Sequence, residues 1–210
     1  MIHEILPVGM LQCNCSILGD EQTREAIVVD PGDEIERILV TLAKHGLKVK
    51  AIVITHAHID HIAGAQKLKA LTHAPVYLNP NDDELAGALD VQARWLGVPT
   101  PQRVEVDTPA ADGVKLTLNQ RDLEIHHTPG HTQGSVSIYI PAEHKLLAGD
   151  TLFRDSVGRT DLPGGNTRKL MSSIKTRLLV LPDETIVVPG HGANTTIGRE
   201  RELNPFLQNL

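Results

Sequence analysis

Short apolar runs, each cut by glycine, aspartate or other polar residues, open the chain. Ile5–Val8, Cys15–Leu18 and Ala26–Val29 alternate with turn residues as in a β-meander. DPGD (30–33) then turns the chain. Asp33 reads as a helix N-cap with Glu36 three residues on. Ile35, Ile38, Leu39 and Leu42 follow at helical spacing, and Gly46 stops the helix. Lys50–Ile54 is a strand of the buried type. Ile62, Ala65 and Leu68 mark one face of a second helix, and Val76–Leu78 a further strand. Residues 81–97, NDDELAGALDVQARWLG, read as a third helix with acids at its start. Between 103 and 149 strand character returns in RVEVD, KLTL, LEIHHT, SVSIYI and KLLAG. A fourth helix follows Asn166, with Leu170, Ile174 and Leu178 in phase. ETIVVPGHG (184–192) is a last strand running into a loop, and 198–207 a short terminal helix. Strands and helices mix in two similar stretches with no linker or low-complexity tract, so a layered α/β domain over 1–210 is expected.

Composition narrows the core and excludes some partners. The 210 residues include one Trp, two Tyr and two Phe, so the core must be built from Ile, Val, Leu and Ala. Net charge is −6 with no basic run, which speaks against a nucleic-acid surface. The start, MIHEILPVGM, lacks the basic and long apolar regions of an export signal. No segment approaches a membrane span, so a cytoplasmic protein is expected. Cys13 and Cys15 stand two apart on one strand face and read as small buried residues in a reducing compartment.

Candidate chemistry concentrates in THAHIDH (55–61). Three histidines and an aspartate follow directly on a buried-type strand, where such groups are costly to bury without partners. His56 and His58 share a face in extended chain, whereas Asp60 and His61 come after the strand has ended. Four ligands crowd one small cation, so two neighbouring cations are the simpler solution. The same arrangement of apolar strand, small loop and polar group recurs at His131, Asp150 and His191. Five imidazoles and two carboxylates suit zinc, and also iron or manganese. Two divalent cations would keep the site positive against Asp60 and Asp150. A water bound there would ionise near neutral pH, at about 7 in zinc sites, and a metal-bridging hydroxide can attack a carbonyl. The histidines at 3, 45, 73, 126, 127 and 144 carry no such signal, although His126 and His127 are close enough to His131 to be confused with it.

THAHIDH, with GH at 130–131, GD at 149–150 and GH at 190–191, resembles the metallo-β-lactamase superfamily, and VVDPGD (28–33) matches its first motif. The resemblance implies a four-layer αβ/βα sandwich with two divalent metal ions in an edge cleft. It implies that His56, His58 and His131 hold one metal and Asp60, His61 and His191 the other. Asp150 bridges them, Asp30 supports the ligands from behind, and Asp60 additionally orients the hydroxide. TPGHTQGSVSIYI (128–140) and AGDTLFRDSVGRTDLPGG (148–165) look like the glyoxalase II branch. That branch hydrolyses a glutathione thioester, S-D-lactoylglutathione, to D-lactate and glutathione. Arg159 falls where the family has a basic substrate-contacting residue, while Asp161 stands where an aromatic contact is usual. Only 19 residues follow His191, so the helical C-terminal glutathione-binding domain is expected to be absent. GRTD (158–161) also resembles iron-dependent persulfide dioxygenases of the same superfamily, which is the alternative activity; lactone or other ester hydrolysis is a further one.

Overall fold

The structure, a computed structural model, describes residues 1–208 and Leu210. The chain forms two compact units, one of Met1–Ala110 with Leu118–Gln120, the other of Ala111–Thr117 with Arg121–Leu210.

In the first unit the predicted meander is β1 (Ile2–Val8), β2 (Cys13–Gly19) and β3 (Glu25–Val29), paired antiparallel in that order. α1 (Ile35–Lys44) then crosses to β4 (Lys48–Val53), which runs parallel to β3. α2 (Ile59–Ile62) and α3 (Ala65–Thr72) lead to β5 (Val76–Leu78), again parallel. α4 (Asp83–Gly87) and α5 (Leu89–Leu96) precede β6 (Thr108–Pro109), which completes a six-stranded sheet in sequence order. β2 is buried along its whole length, as its apolar and small residues require. Ile35, Ile38 and Leu42 of α1 and Leu68 of α3 are buried in one aliphatic core with β-strand residues such as Ile17, Val28 and Ile52.

Three local expectations need correction here. Asp33 does not cap α1. Its Oδ1 accepts from the next amide, Glu34, at 2.7 Å, and the helix starts from Glu34 in a left-handed conformation. The helix expected over 81–97 is broken after Gly87, where helix propensity is lowest among the residues present. RVEVD (103–107) is not a strand: Asp107 instead spends its carboxylate on the Val76 amide and Lys69, and pairing begins only at Thr108.

The second unit repeats the scheme. β7 (Lys115–Leu118), β8 (Arg121–His127), β9 (Val136–Ile140) and β10 (Lys145–Gly149) lie side by side. A small hairpin, β11 (Leu152–Phe153) and β12 (Ser156–Val157), follows. α6 (Thr167–Ser173), capped by Asn166 Oδ1 on the Lys169 amide at 2.9 Å, runs into a π-helical turn over Ile174–Leu178. It crosses to β13 (Ile186–Pro189), parallel to β10, and β14 (Thr195–Thr196) is the far edge. Leu170, Ile174 and Leu178, read in phase from the sequence, are buried with Leu146 and Val187. The terminal helix α7 spans Ile197–Leu203, shorter than the expected 198–207. Both cysteines are unbridged and buried. Among the described residues no helix is long and apolar enough to cross a membrane.

Candidate metal centre

Every candidate ligand follows the C-terminal end of a strand. In the first unit Asp30 follows β3, and His56, His58, Asp60 and His61 follow β4. The imidazoles are drawn together there: ring centroids lie 4.8 Å apart for His56 and His58 and 4.0 Å for His56 and His61. His61 Nε2 is 3.6 Å from Asp60 Oδ2. In the second unit His131 follows β8, Asp150 follows β10 and His191 follows β13. Asp150 Oδ2 lies 3.5 Å from His131 Nε2 and 3.8 Å from His191 Nε2. Adjacent parallel strands set this up, because the Gly190 amide donates to the Gly149 carbonyl at 2.8 Å. Each unit therefore gathers its own share of the seven residues.

The hydrogen bonds behind the ligands fix which ring nitrogen carries the proton. Asp30, an acceptor only, is buried and in the left-handed region at φ 53°. Its Oδ1 accepts from the Thr55 amide at 2.7 Å, and its Oδ2 accepts from the Thr55 hydroxyl at 2.7 Å and His61 Nδ1 at 2.9 Å. His61 is thus protonated on Nδ1. Because the Thr55 hydroxyl proton is spent on Asp30, its oxygen accepts from His56 Nδ1 at 3.1 Å. One carboxylate sets two tautomers, and both place the ring lone pair on Nε2. In the second unit the Arg159 carbonyl accepts from His131 Nδ1 at 2.8 Å, with the same result. Such partners orient metal-binding histidines and raise their basicity.

Backbone contacts hold the loops. The Ala57 amide donates to Asp82 Oδ2 at 2.9 Å and the Ile59 amide to Gln92 Oε1 at 2.9 Å. Gln92 Nε2 returns bonds to the Ala57 and Leu85 carbonyls. Gly32 packs under α2 so closely that a Cβ there would lie 1.6 Å from the Asp60 carbonyl oxygen. Gly158 plays the same part beneath Asp150, where a Cβ would come within 2.0 Å of its carbonyl oxygen. Sequence reasoning passed over Thr55, Asp82, Gln92 and Gly158. Only Thr55 had a signal, a hydroxyl directly before the first histidine.

Cys13 Sγ lies 3.5 Å from His61 Nδ1, and Cys13, Asp30 and His61 form a buried trio. Burial pushes the Cys13 thiol up to about 11, so it stays protonated. With Asp30 already accepting from Thr55 and His61, the trio is a scaffold for the His61 ring. His126 and His127 are held elsewhere. His126 packs against Tyr139 and Glu124, and His127 Nε2 bonds the Gln133 carbonyl. The Arg159 guanidinium meets Asp161 in two hydrogen bonds of 2.8 and 2.7 Å and is exposed.

Comparison with known proteins gives this arrangement its relatives. The family model described as the metallo-beta-lactamase superfamily matches residues 8–191, from the end of β1 through the last candidate ligand. An uncharacterized protein of Aquifex aeolicus is 44% identical over all of this chain and 99% of its own. Hydroxyacylglutathione hydrolase GloC of Haemophilus influenzae is 39% identical over 97% of each chain. Among solved structures, BLEG-1 B3 metallo-beta-lactamase superposes with a TM-score of 0.92 at 38% identity, covering 99% of this chain and all of its own. TTHA1623 in a di-iron-bound form gives 0.88 at 40% identity over 97% of this chain and 100% of its own. ETHE1 from Myxococcus xanthus gives 0.79 at 30% identity over 98% of this chain and 84% of its own. The fold class is accordingly the αβ/βα sandwich expected from the sequence, and the chain belongs to the metallo-β-lactamase superfamily of metal-dependent hydrolases.

Proposed function

We propose that this protein hydrolyses small thioesters, with S-D-lactoylglutathione as the first substrate to test. The observation that carries the proposal is the 39% identity to a hydroxyacylglutathione hydrolase over nearly the full length of both chains. In this reading His56, His58 and His131 hold one divalent cation, Asp60, His61 and His191 hold a second, and Asp150 serves both. The donor set suits this assignment: His56, His61 and His131 each present Nε2 with Nδ1 held by a defined acceptor. Zinc is the first assignment, with iron or manganese compatible with the same nitrogens and oxygens.

Bound divalent cations would supply Lewis acidity at the thioester carbonyl and bring the pKa of water to about 7 in zinc sites. The residues supply the rest. Asp60 orients the attacking water. Water adds to the acyl carbon, the C–S bond breaks, and the acid and the thiol are released. No serine or cysteine nucleophile is needed, and Cys13, buried and protonated, does not act as one. Arg159 takes a carboxylate of the thiol carrier by exchanging it for Asp161. The substrate is a soluble glutathione conjugate, and neither nucleic acid nor membrane enters the reaction.

The test is metal analysis and two assays on one preparation of the full chain. Thiol release from S-D-lactoylglutathione with two metal ions per chain is expected. Oxygen uptake with glutathione persulfide and no thiol release would replace the hydrolase with the dioxygenase reading.

A further inference from the structure

The first unit carries an open cavity of about 740 Å³ that Asp60 helps to line. That is within the range of about 300–1,000 Å³ typical of small-molecule sites. It is much more room than a lactoyl group needs. Its apolar wall comes from the β1–β2 hairpin tip, from α2, and from the end of α5 with the segment that follows it: Met10, Leu11, Ile59, Leu96 and Val98. Met10 (64%), Leu11 (44%) and Leu96 (37%) are exposed large apolar side chains, and they gather around this one opening.

The charges around the cavity decide what it can hold. Asp33, Glu36 and Asp60 are acidic and Lys67 is the single base among the lining residues. Lys67 is engaged by Glu36 in an ion pair. With Asp60 assigned to a metal and Glu36 paired with Lys67, Asp33 is the remaining charge, so a ligand carboxylate would meet an acidic group with the one ammonium already committed. An uncharged hydrocarbon would meet apolar side chains now facing solvent. Asp60, the one candidate metal ligand among the lining residues, ties the cavity to the reacting centre. The part of a thioester joined directly to the reacting carbon is the acyl group, whereas the charged groups of a thiol carrier such as glutathione lie several bonds away.

We propose that this cavity is the acyl subsite and that it selects uncharged alkanoyl groups longer than lactoyl. The inference rests on the thioester hydrolase reading and specifies its substrate class. Burying each added methylene is worth about fourfold in affinity or specificity.

Two measurements on the full, metal-loaded chain test it. The first is kcat/KM for propionyl-, butyryl-, hexanoyl- and succinyl-glutathione, read as thiol release. The second, independent of turnover, is calorimetric binding of the thioethers S-methylglutathione and S-hexylglutathione. Expected are a rise of about fourfold per methylene in both series and poor turnover of the carboxylate-ended succinyl ester. Leu96→Asp and the more exposed Met10→Ser should flatten both slopes without changing metal content. Equal binding of the two thioethers, or a flat alkanoyl series, overturns the acyl subsite while leaving the hydrolase standing. Chain-length-dependent thioether binding with no thiol release from any ester overturns the hydrolase reading and, with it, the acyl assignment.

Discussion

Asp30 Oδ2 lies 2.9 Å from His61 Nδ1, and the same oxygen accepts from the Thr55 hydroxyl that holds His56. One buried carboxylate therefore sets the ring orientation and protonation of two candidate metal ligands. Its left-handed backbone, with φ 53°, is the conformational cost of aiming it there.

Asp30→Ala should lower metal affinity about 10–100-fold, the usual effect of removing a partner behind a ligating histidine. Thr55→Val should weaken metal binding less, because it disturbs His56 and leaves the Asp30–His61 bond in place. Competition titration against a chromogenic chelator measures both. Unchanged affinity in Asp30→Ala would remove the assignment of His61 as a ligand held by this carboxylate.

Gly32→Ala and Gly158→Ala should both damage the centre through the backbone. A Cβ would press on the Asp60 carbonyl in the first case and the Asp150 carbonyl in the second. Overpacking of this kind costs about 1–3 kcal/mol or more. Thermal unfolding and metal content should fall together in each variant. A Gly32→Ala protein with unchanged melting temperature and metal content would show that the DPGD loop can move aside.

Gln92→Ala removes the acceptor of the Ile59 amide and the donor to the Ala57 and Leu85 carbonyls. Leaving such buried groups unsatisfied costs about 1–3 kcal/mol. Urea unfolding should show a lower midpoint with the same slope. The variant should also lose metal affinity, since the residues it anchors separate His56, His58 and Asp60 in the chain.

The Arg159 guanidinium holds the Asp161 carboxyl down at about 2. A lowered carboxylate pKa means the pair's contribution is present above the ordinary aspartate value of 3.8 and is lost as pH falls through about 2. Carbon NMR of the Asp161 carboxyl should therefore show protonation near pH 2, moving up toward 3.8 in Arg159→Gln. If Arg159 takes a substrate carboxylate, Asp161→Asn should lower KM for lactoylglutathione with little change in kcat. An unchanged KM would confine Arg159 to its loop.

Most of the strands, the crossover helices and the placing of the seven candidate ligands in loops that follow strand ends were legible in the sequence, because each depends on neighbours a few residues away. Apolar runs fix the strands, helical spacing places Leu170, Ile174 and Leu178 inside, and THAHIDH sits where β4 ends. Local reasoning failed where a side chain chose between partners. Asp33 bonded the next amide instead of capping α1, and Asp107 bonded Val76 instead of extending a strand. The residues that hold the candidate ligands and their loop lie far away in the chain: Asp30 is 31 positions from His61, Asp82 25 from Ala57, and Gln92 33 from Ile59. Nothing in the spacing of THAHIDH announces them, since a hydrogen bond between distant segments exists only once both are folded against each other. The sequence by itself determined which side chains could bind metal. Tertiary structure decided which nitrogen His56, His61 and His131 present, and that the GRTD loop acts on the centre through the Gly158 backbone and the Arg159 carbonyl.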